Sequence, residues 1–382
     1  MIRTLAVFGS TGSIGTNTLA LAERFTDRFR VVTLTAGRNL QLLREQITRF
    51  DPRRVAVGAA PDAEQLRAEF PRLEVFSGDD GLCQVARAET VDVAVMGIVG
   101  FAALAPTLEV VPHCRTLALA NKEALVVAGS LLRKAVAAHE VTCVPVDSEH
   151  NALYQLLQGR RREEIASIVL TASGGPLFRR PEVPLDDVTP AMAIQHPNWK
   201  MGPKISVDSA TLMNKGLELI EAAVLFDFAP QRIEVWIHPQ SIVHGAIWFV
   251  DNSCLAQLSK PDMRSSIGFA MEFPDRLPAP IPKLSPRDFS RLEFHEPDDV
   301  RFPALRLARQ ALESGPSFPV ALNAANEVAV GAFLRGELLF SRIPEVVEAV
   351  LQAHRAGPVD SVEAIFAADA QAREAATQRL RR

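Results

Sequence analysis

The stretch that most constrains this chain is "VFGSTGSIG" near its start, where Gly9, Gly12 and Gly15 follow an apolar run and open a helical pattern. Strand, loop and helix in that order let backbone N–H groups and the positive end of the helix face a pyrophosphate. A plain strand-to-helix turn is the competing reading. It loses ground because all three parts occur in the required order. The runs "RTLAVFG", "RVVTLTAG", "RVAVG", "VDVAVMG" and "TLALANKE" continue the pattern, with helices expected at 14–24 and near 40–49. Apolar runs separated by helices predict a parallel sheet covered on both faces, here a doubly wound Rossmann-type α/β domain over residues 1–146.

The end of the second strand refines the ligand. A site for an unphosphorylated ribose usually offers Asp or Glu there, whereas "TLTAGRNL" supplies Arg38 beside Asn39. An arginine fork suits a 2'-phosphate, so NADPH is favoured over NADH, although an ordinary surface arginine reads the same. "LALANKEALVV" places Asn121, Lys122 and Glu123 at the carboxyl end of another strand. Asn as a cap with Glu in the first turn explains them locally; strand ends of this kind also face the ligand crevice.

"VPVDSEHNAL" runs from a strand-like stretch into Asp147 and Glu149 with Ser148 between them. Helix capping is the commoner explanation. The alternative is a divalent-cation site, since residues two apart on an extended segment point to one side.

From about residue 141 the pattern changes to "ASIVLTASGG", "IEVWIHPQ" and "SIVHGAIWFV", with one long amphipathic helix between the first two, which predicts an α+β domain over 147–272. In "LTASGGPLF", Ser173, Gly174 and Gly175 permit an amide nest for phosphate or a simple turn. "AIQHPNWKMGPK" is a loop carrying His196 and Trp199 that is able to close over a ligand. A helix beginning near 208 or 209 would align Met213, Leu217, Ile220 and Val224 on an apolar stripe beside Asn214, Lys215 and Glu218. Ser209, Asn214 and Lys215 then supply donors for a phosphate at its N-terminal end, and Glu218 a third carboxylate; a solvated face with a Lys215–Glu218 pair is the alternative. Clustered prolines make 273–301 a semi-rigid linker, and 302–382 reads as a helical bundle with segments at 304–314, 319–334, 341–353 and 361–381.

Charge and cysteine usage narrow the function classes. Lys plus Arg number 41 against 45 Asp plus Glu, for a net charge of −4 with no basic block, so nucleic acid is not an expected partner. The four cysteines are scattered without C-x-x-C spacing, which fits a reducing cytoplasm rather than a disulfide framework or a thiolate metal site. The uncharged stretch 93–108 falls short of the roughly 18 apolar residues of a membrane helix, and glycines interrupt the N-terminal apolar run before it resembles a signal peptide.

Taken in order, "GSTGSIG", "AGRN", "LANKEAL", "PVDSEHNA", "TASGGP", "HPNWKMGPKISVDSATLMNKGLE", "IHPQSIVHG" and "LNAANEVAV" resemble the 1-deoxy-D-xylulose 5-phosphate reductoisomerase family over nearly the whole chain. The resemblance implies rearrangement of a ketose phosphate to an aldehyde, then hydride reduction to 2-C-methyl-D-erythritol 4-phosphate, in a homodimeric enzyme. It implies that Asp147, Glu149 and Glu218 hold Mg, Mn or Co, and that Lys122 and these carboxylates are catalytic. Ser148, Ser173, His196, Trp199, Ser209, Asn214 and Lys215 would contact the substrate with them. Thr11, Gly12, Ser13, Ile14, Gly37, Arg38, Asn39, Asn121, Glu123 and Gly202 would line the NADPH site. Many members carry Lys where this chain has Arg38, which keeps the charge and changes the donor geometry. Two rivals remain at this level. Another NADP-dependent dehydrogenase would need a nucleophilic cysteine or general base, and a non-catalytic NADP sensor would have no use for three carboxylates.

Overall fold

The computed structural model describes residues 2–199 and 201–380. Its contacts divide the chain into two compact units, the first of residues 1–124, 132–151 and 262–282, the second of 125–131, 152–261 and 283–382. The sequence expectation cuts the chain in order, at 146, 272 and 301. Contacts cut it differently, since residues 262–282 return to the first unit and residues 125–131 belong to the second.

The first unit carries strands β1 (Arg3–Phe8), β2 (Phe29–Ala36), β3 (Arg54–Val57), β4 (Glu74–Ser77), β5 (Val91–Met96), β6 (Cys114–Leu119) and β7 (Thr142–Pro145). All pair in parallel, in the order β4-β3-β2-β1-β5-β6-β7. Leu5, Val7, Phe8, Val93, Ala94 and Val95 have no exposed surface, as strands covered on both faces require. Strand order reverses at β1, so the crevice beyond the ends of β1 and β5 is where such a sheet receives a ligand.

Helices α1 (Ser13–Arg24), α2 (Leu40–Phe50), α3 (Ala60–Glu69), α4 (Gly78–Arg87) and α5 (Leu104–Val110) connect these strands. Two more helices, α6 (Lys122–Ala138) and α7 (Ser148–Leu157), contribute residues to both units. The α6 helix is interrupted at Ala128, whose φ of −134° and ψ of 25° are not helical.

The second unit contains β8 (Ile165–Ala172), β9 (Ile233–Ile237), β10 (Val243–Phe249) and β11 (Cys254–Leu258), in the order β11-β10-β8-β9. The β8–β9 pair is parallel and the other two are antiparallel, a mixed sheet in keeping with the α+β expectation. Before β9 come α8 (Pro190–Ala193), α9 (Pro203–Ala210) and α10 (Met213–Phe226).

The single long helix expected there is two helices. Thr211 Oγ1 donates back to the carbonyls of Val207 and Asp208, both at 3.2 Å, and accepts from Met213 N at 3.3 Å, while Leu212 takes a left-handed φ of 61°. That side-chain competition for backbone groups ends α9. Ser209 therefore sits in the last turn of α9 and not in the first turn of the helix bearing Asn214 and Lys215.

Helix α11 (Arg264–Glu272) belongs to the first unit, where it packs on α1, β6 and β7. Arg3 Nη1 donates to the carbonyls of Met271 and Phe273 at 3.1 and 2.9 Å, and Arg28 pairs with Glu272 at 2.5 Å. Residues 273–301 hold little regular structure, as their prolines predict. The chain ends in α12 (Ala304–Ser314), α13 (Phe318–Leu334), α14 (Arg342–Ala353) and α15 (Val362–Leu380), mutually packed within the second unit. The expected last helix reaches Arg381, which lies outside the described residues. Among the described residues no helix is long and apolar enough to cross a membrane.

Candidate active site

In the first unit the glycine loop is fixed by its neighbours. Gly9 has a φ of +79°; its N–H donates to Thr35 Oγ1 at 2.8 Å, and Ser10 N donates to Thr35 O at 2.7 Å. Ser10 Oγ donates to Gln46 Oε1 at 2.7 Å and Gln46 Nε2 returns a bond to Ser10 O at 2.9 Å, a buried pair tying the loop to α2. A Cβ on Gly15 would lie 2.4 Å from Gly9 O, so only glycine lets α1 start this close to the strand. Gly12 caps α1 without a side-chain hydrogen bond, which leaves the helix N-terminus to an outside anion. Thr11, Gly12, Ser13 and Ile14 all lie on this rim, half-buried or exposed.

Gly37, Arg38 and Asn39 are exposed at the end of β2, and Asn39 Oδ1 caps α2 by accepting from Leu42 N at 3.1 Å. Asn121 is buried and caps α6 through Ala124 N at 2.8 Å. Its Nδ2 donates to Ile98 O at 2.9 Å, Gly100 O at 3.1 Å and Glu123 Oε2 at 3.1 Å. These bonds fix the loop after β5. Capping is therefore what Asn121 does locally, and it also braces the crevice at the end of the sheet.

"VPVDSEHNAL" resolves into β7 followed by α7. Asp147 caps that helix, accepting from Glu149 N at 3.3 Å while its carbonyl accepts from Asn151 N at 2.8 Å. Asp147 and Glu149 are thus not neighbours on an extended segment; Glu149 is in the first helical turn, where Ser148 Oγ donates to its Oε2. Lys122 Nζ donates to Asp147 Oδ2 at 2.8 Å, and His150 Nδ1 lies 3.3 Å from Oδ1. His150, wholly buried, and its contact with Asp147 were missed by the sequence reading, although the D-x-x-H spacing is visible in the quoted stretch. Lys122 is only 6% exposed, so its ammonium meets the carboxylate largely out of water.

In the second unit, Ser173, His196 and Trp199 come together. Nδ1 of His196 accepts the N–H groups of Asn198 at 3.2 Å and Trp199 at 3.0 Å, so its proton resides on Nε2, which donates to Ser173 Oγ at 2.8 Å. Burial pushes the His196 pKa down to about 4. Asn198 Nδ2 anchors the same loop to Pro239 O at 2.6 Å and Ser241 Oγ at 3.0 Å. Gly174 and Gly175, with φ of 82° and 69°, form the turn behind Ser173.

Ser209 is buried at the end of α9, and Gly202 is the exposed N-cap of that helix. On α10, Asn214 Nδ2 donates to Glu218 Oε1 at 2.5 Å and Lys215 Nζ donates to Oε2, with Glu218 1% and Lys215 3% exposed. Each unit thus holds a carboxylate beside a buried lysine: Asp147 with Lys122, Glu218 with Lys215. The three carboxylates expected to hold a metal offer hard oxygens, the set that suits Mg or Mn better than zinc.

Three models of 1-deoxy-D-xylulose 5-phosphate reductoisomerase match this chain: the reductoisomerase model at residues 5–129 and two C-terminal-domain models at 143–226 and 258–375. The reductoisomerase of Thermodesulfovibrio yellowstonii is 43% identical over 379 residues, covering 99% of this chain and all of that one. The Zymomonas mobilis enzyme, solved with NADPH, superposes with a TM-score of 0.92 at 40% identity over 99% of this chain and 98% of its own. A reductoisomerase solved with NADPH, fosmidomycin and magnesium gives 0.94 at 38% identity, over 100% and 98%. With likeness of this extent along the whole chain, the protein belongs to the 1-deoxy-D-xylulose 5-phosphate reductoisomerase family.

Proposed function

We propose that this chain converts 1-deoxy-D-xylulose 5-phosphate to 2-C-methyl-D-erythritol 4-phosphate, using NADPH and a divalent cation, as a step in isoprenoid precursor synthesis. Beyond family membership, the observation that carries this is the pairing of buried lysines with the carboxylates Asp147 and Glu218. The two lysines offset the negative charge of carboxylates that are placed to receive a cation. Asp147, Glu149 and Glu218 would hold the metal. NADPH would lie on the Gly12–Ile14 rim, with Gly37, Arg38, Asn39, Asn121, Glu123 and Gly202 also in contact and Arg38 on the 2'-phosphate.

Once bound, the cation supplies Lewis-acid polarisation of substrate oxygens, and NADPH supplies the hydride. This chain's own groups do the rest. Ser148 and Lys122 orient the ketose, and the Lys122 ammonium faces oxygens that gain negative charge. Ser173, His196, Ser209, Asn214 and Lys215 bind hydroxyls and phosphate away from the reacting carbons, which contributes positioning. Trp199 covers the substrate and excludes water.

The protein would work as a homodimer in the cytoplasm. Val250, 67% exposed just after β10, and Leu255, 41% exposed within the edge strand β11, support a self-associating surface, and the four free cysteines suit a reducing compartment.

The test is NADPH oxidation by purified protein with 1-deoxy-D-xylulose 5-phosphate. Turnover is expected only when Mg or Mn is present and to vanish on exhaustive chelation; turnover that survives chelation removes the metal from the proposal. Glu218→Gln should cut kcat by at least about a hundredfold, within the range of electrostatic catalytic losses. NADPH affinity should stay near the parent value, whereas loss of both would make Glu218 a structural residue.

A further inference from the structure

The α9 helix contains a buried carboxylate that the proposed reaction does not use. Asp208 is 1% exposed; Asn326 Nδ2, from α13, donates to its Oδ1 at 2.8 Å, and Lys204 Nζ lies 2.9 Å from its Oδ2. Within the helix this arrangement is unfavourable. The cation sits at the positive end of α9 and the anion near the negative end, and a lysine four residues before an acid is the weaker order of the pair. Helix stability therefore does not account for Asp208. Its partner across the helix packing does: Asn326 has no exposed surface, and its Oδ1 has no hydrogen-bond partner among the described residues, so Asp208 is what orients the amide.

What α9 positions gives this clamp its consequence. Ser209 follows Asp208 directly, α9 ends at Ala210, and after the left-handed Leu212 the chain enters α10, whose first turns carry Asn214, Lys215 and Glu218. A shift of α9 against α13 thus moves Ser209 and the start of α10 together. We infer that Asp208, clamped by Asn326 and Lys204, is a positioning residue that holds Ser209, Asn214, Lys215 and Glu218 in one reactive arrangement. The inference rests on the function proposed above.

Its test compares Asn326→Ala, Asp208→Asn and the exchange Asp208→Asn/Asn326→Asp, measuring kcat, substrate KM, NADPH affinity and the melting curve of each. Displacing catalytic groups by a fraction of an ångström to an ångström should lower kcat at least about tenfold in both single variants, with NADPH affinity within about twofold of the parent. The exchange rebuilds a carboxylate–amide pair with its polarity reversed and should recover kcat above either single variant. Parent kcat in the single variants, activity that falls only with the folded fraction, or an exchange no better than its components would each overturn the inference. Should Asn326→Ala fail to fold, the isosteric Asp208→Asn decides. An inactive parent refutes the proposed function instead, so the two failures are distinguishable.

Discussion

His196 accepts two backbone N–H groups on Nδ1 and donates from Nε2, which leaves no place for a second ring proton. Its pKa of about 4, lowered by burial, lies below the ordinary 6.5. Between those values the unfolded chain binds the proton and the folded chain does not, so stability falls as pH drops through that window and is fully retained above it. Burial lowers the pKa of His238 and His354 as well, so the parent slope includes all three. Denaturant unfolding from pH about 7 to about 4 should show a shallower loss in His196→Gln than in the parent. Equal slopes would mean that His196 titrates alike folded and unfolded. Residue identity was the most legible level of the sequence, because an Asp, Lys or His states its chemistry wherever it lies. Partnership was less legible. The Lys215–Glu218 pair follows from helical spacing, whereas Lys122 meets Asp147 only because β6 and β7 are neighbours in the sheet.

At the scale of elements, periodicity located the strongly patterned segments and failed where side chains compete with the backbone or strands are short. The four-residue β4 and the edge strand β11, "CLAQL", are too short or too exposed to alternate clearly. The break at Thr211–Leu212 left the apolar stripe of α10 in register, so the stripe was read correctly and the helix start was not. The glycine loop was legible because its requirement is steric. An added methyl at Gly15 would meet backbone atoms of Gly9 and Ser10 at 2.4 Å, and backbone cannot rotate aside. Gly15→Ala should therefore cost about 1–3 kcal/mol despite alanine's better helix propensity, and weaken NADPH binding as the loop shifts. Gly37 is the control: a Cβ there meets nothing within 4 Å, so Gly37→Ala should leave unfolding stability within about 0.5 kcal/mol of the parent. Chemical denaturation with parallel NADPH titrations measures both, and an equal response at the two positions would remove steric closure of the loop as the reason for Gly15.

At the scale of the molecule, α11 joins a sheet that begins about 260 residues earlier in the chain, and no local pattern announces that return. Ile267, Ala270 and Met271 have no exposed surface, and Gly268 approaches Leu21 of α1 closely enough that an added Cβ would lie 3.6 Å from it. Cutting the chain in sequence order assigns these residues to the unit of β8 and β10; contacts assign them to the unit of β1 and the glycine loop. The two divisions predict different consequences for one substitution. Ile267→Asp places a carboxylate where the side chain has no exposed surface, a change worth several kcal/mol, on the order of 3–5 by analogy with a buried pair that has lost one partner. If α11 is part of the first unit's core, NADPH affinity collapses and amides of β1 and β5 lose their protection from hydrogen exchange. Amides of β8 and β10 should retain most of theirs, because their core residues do not include α11. Loss of protection in β8 and β10 with NADPH binding intact would restore the sequence-order division.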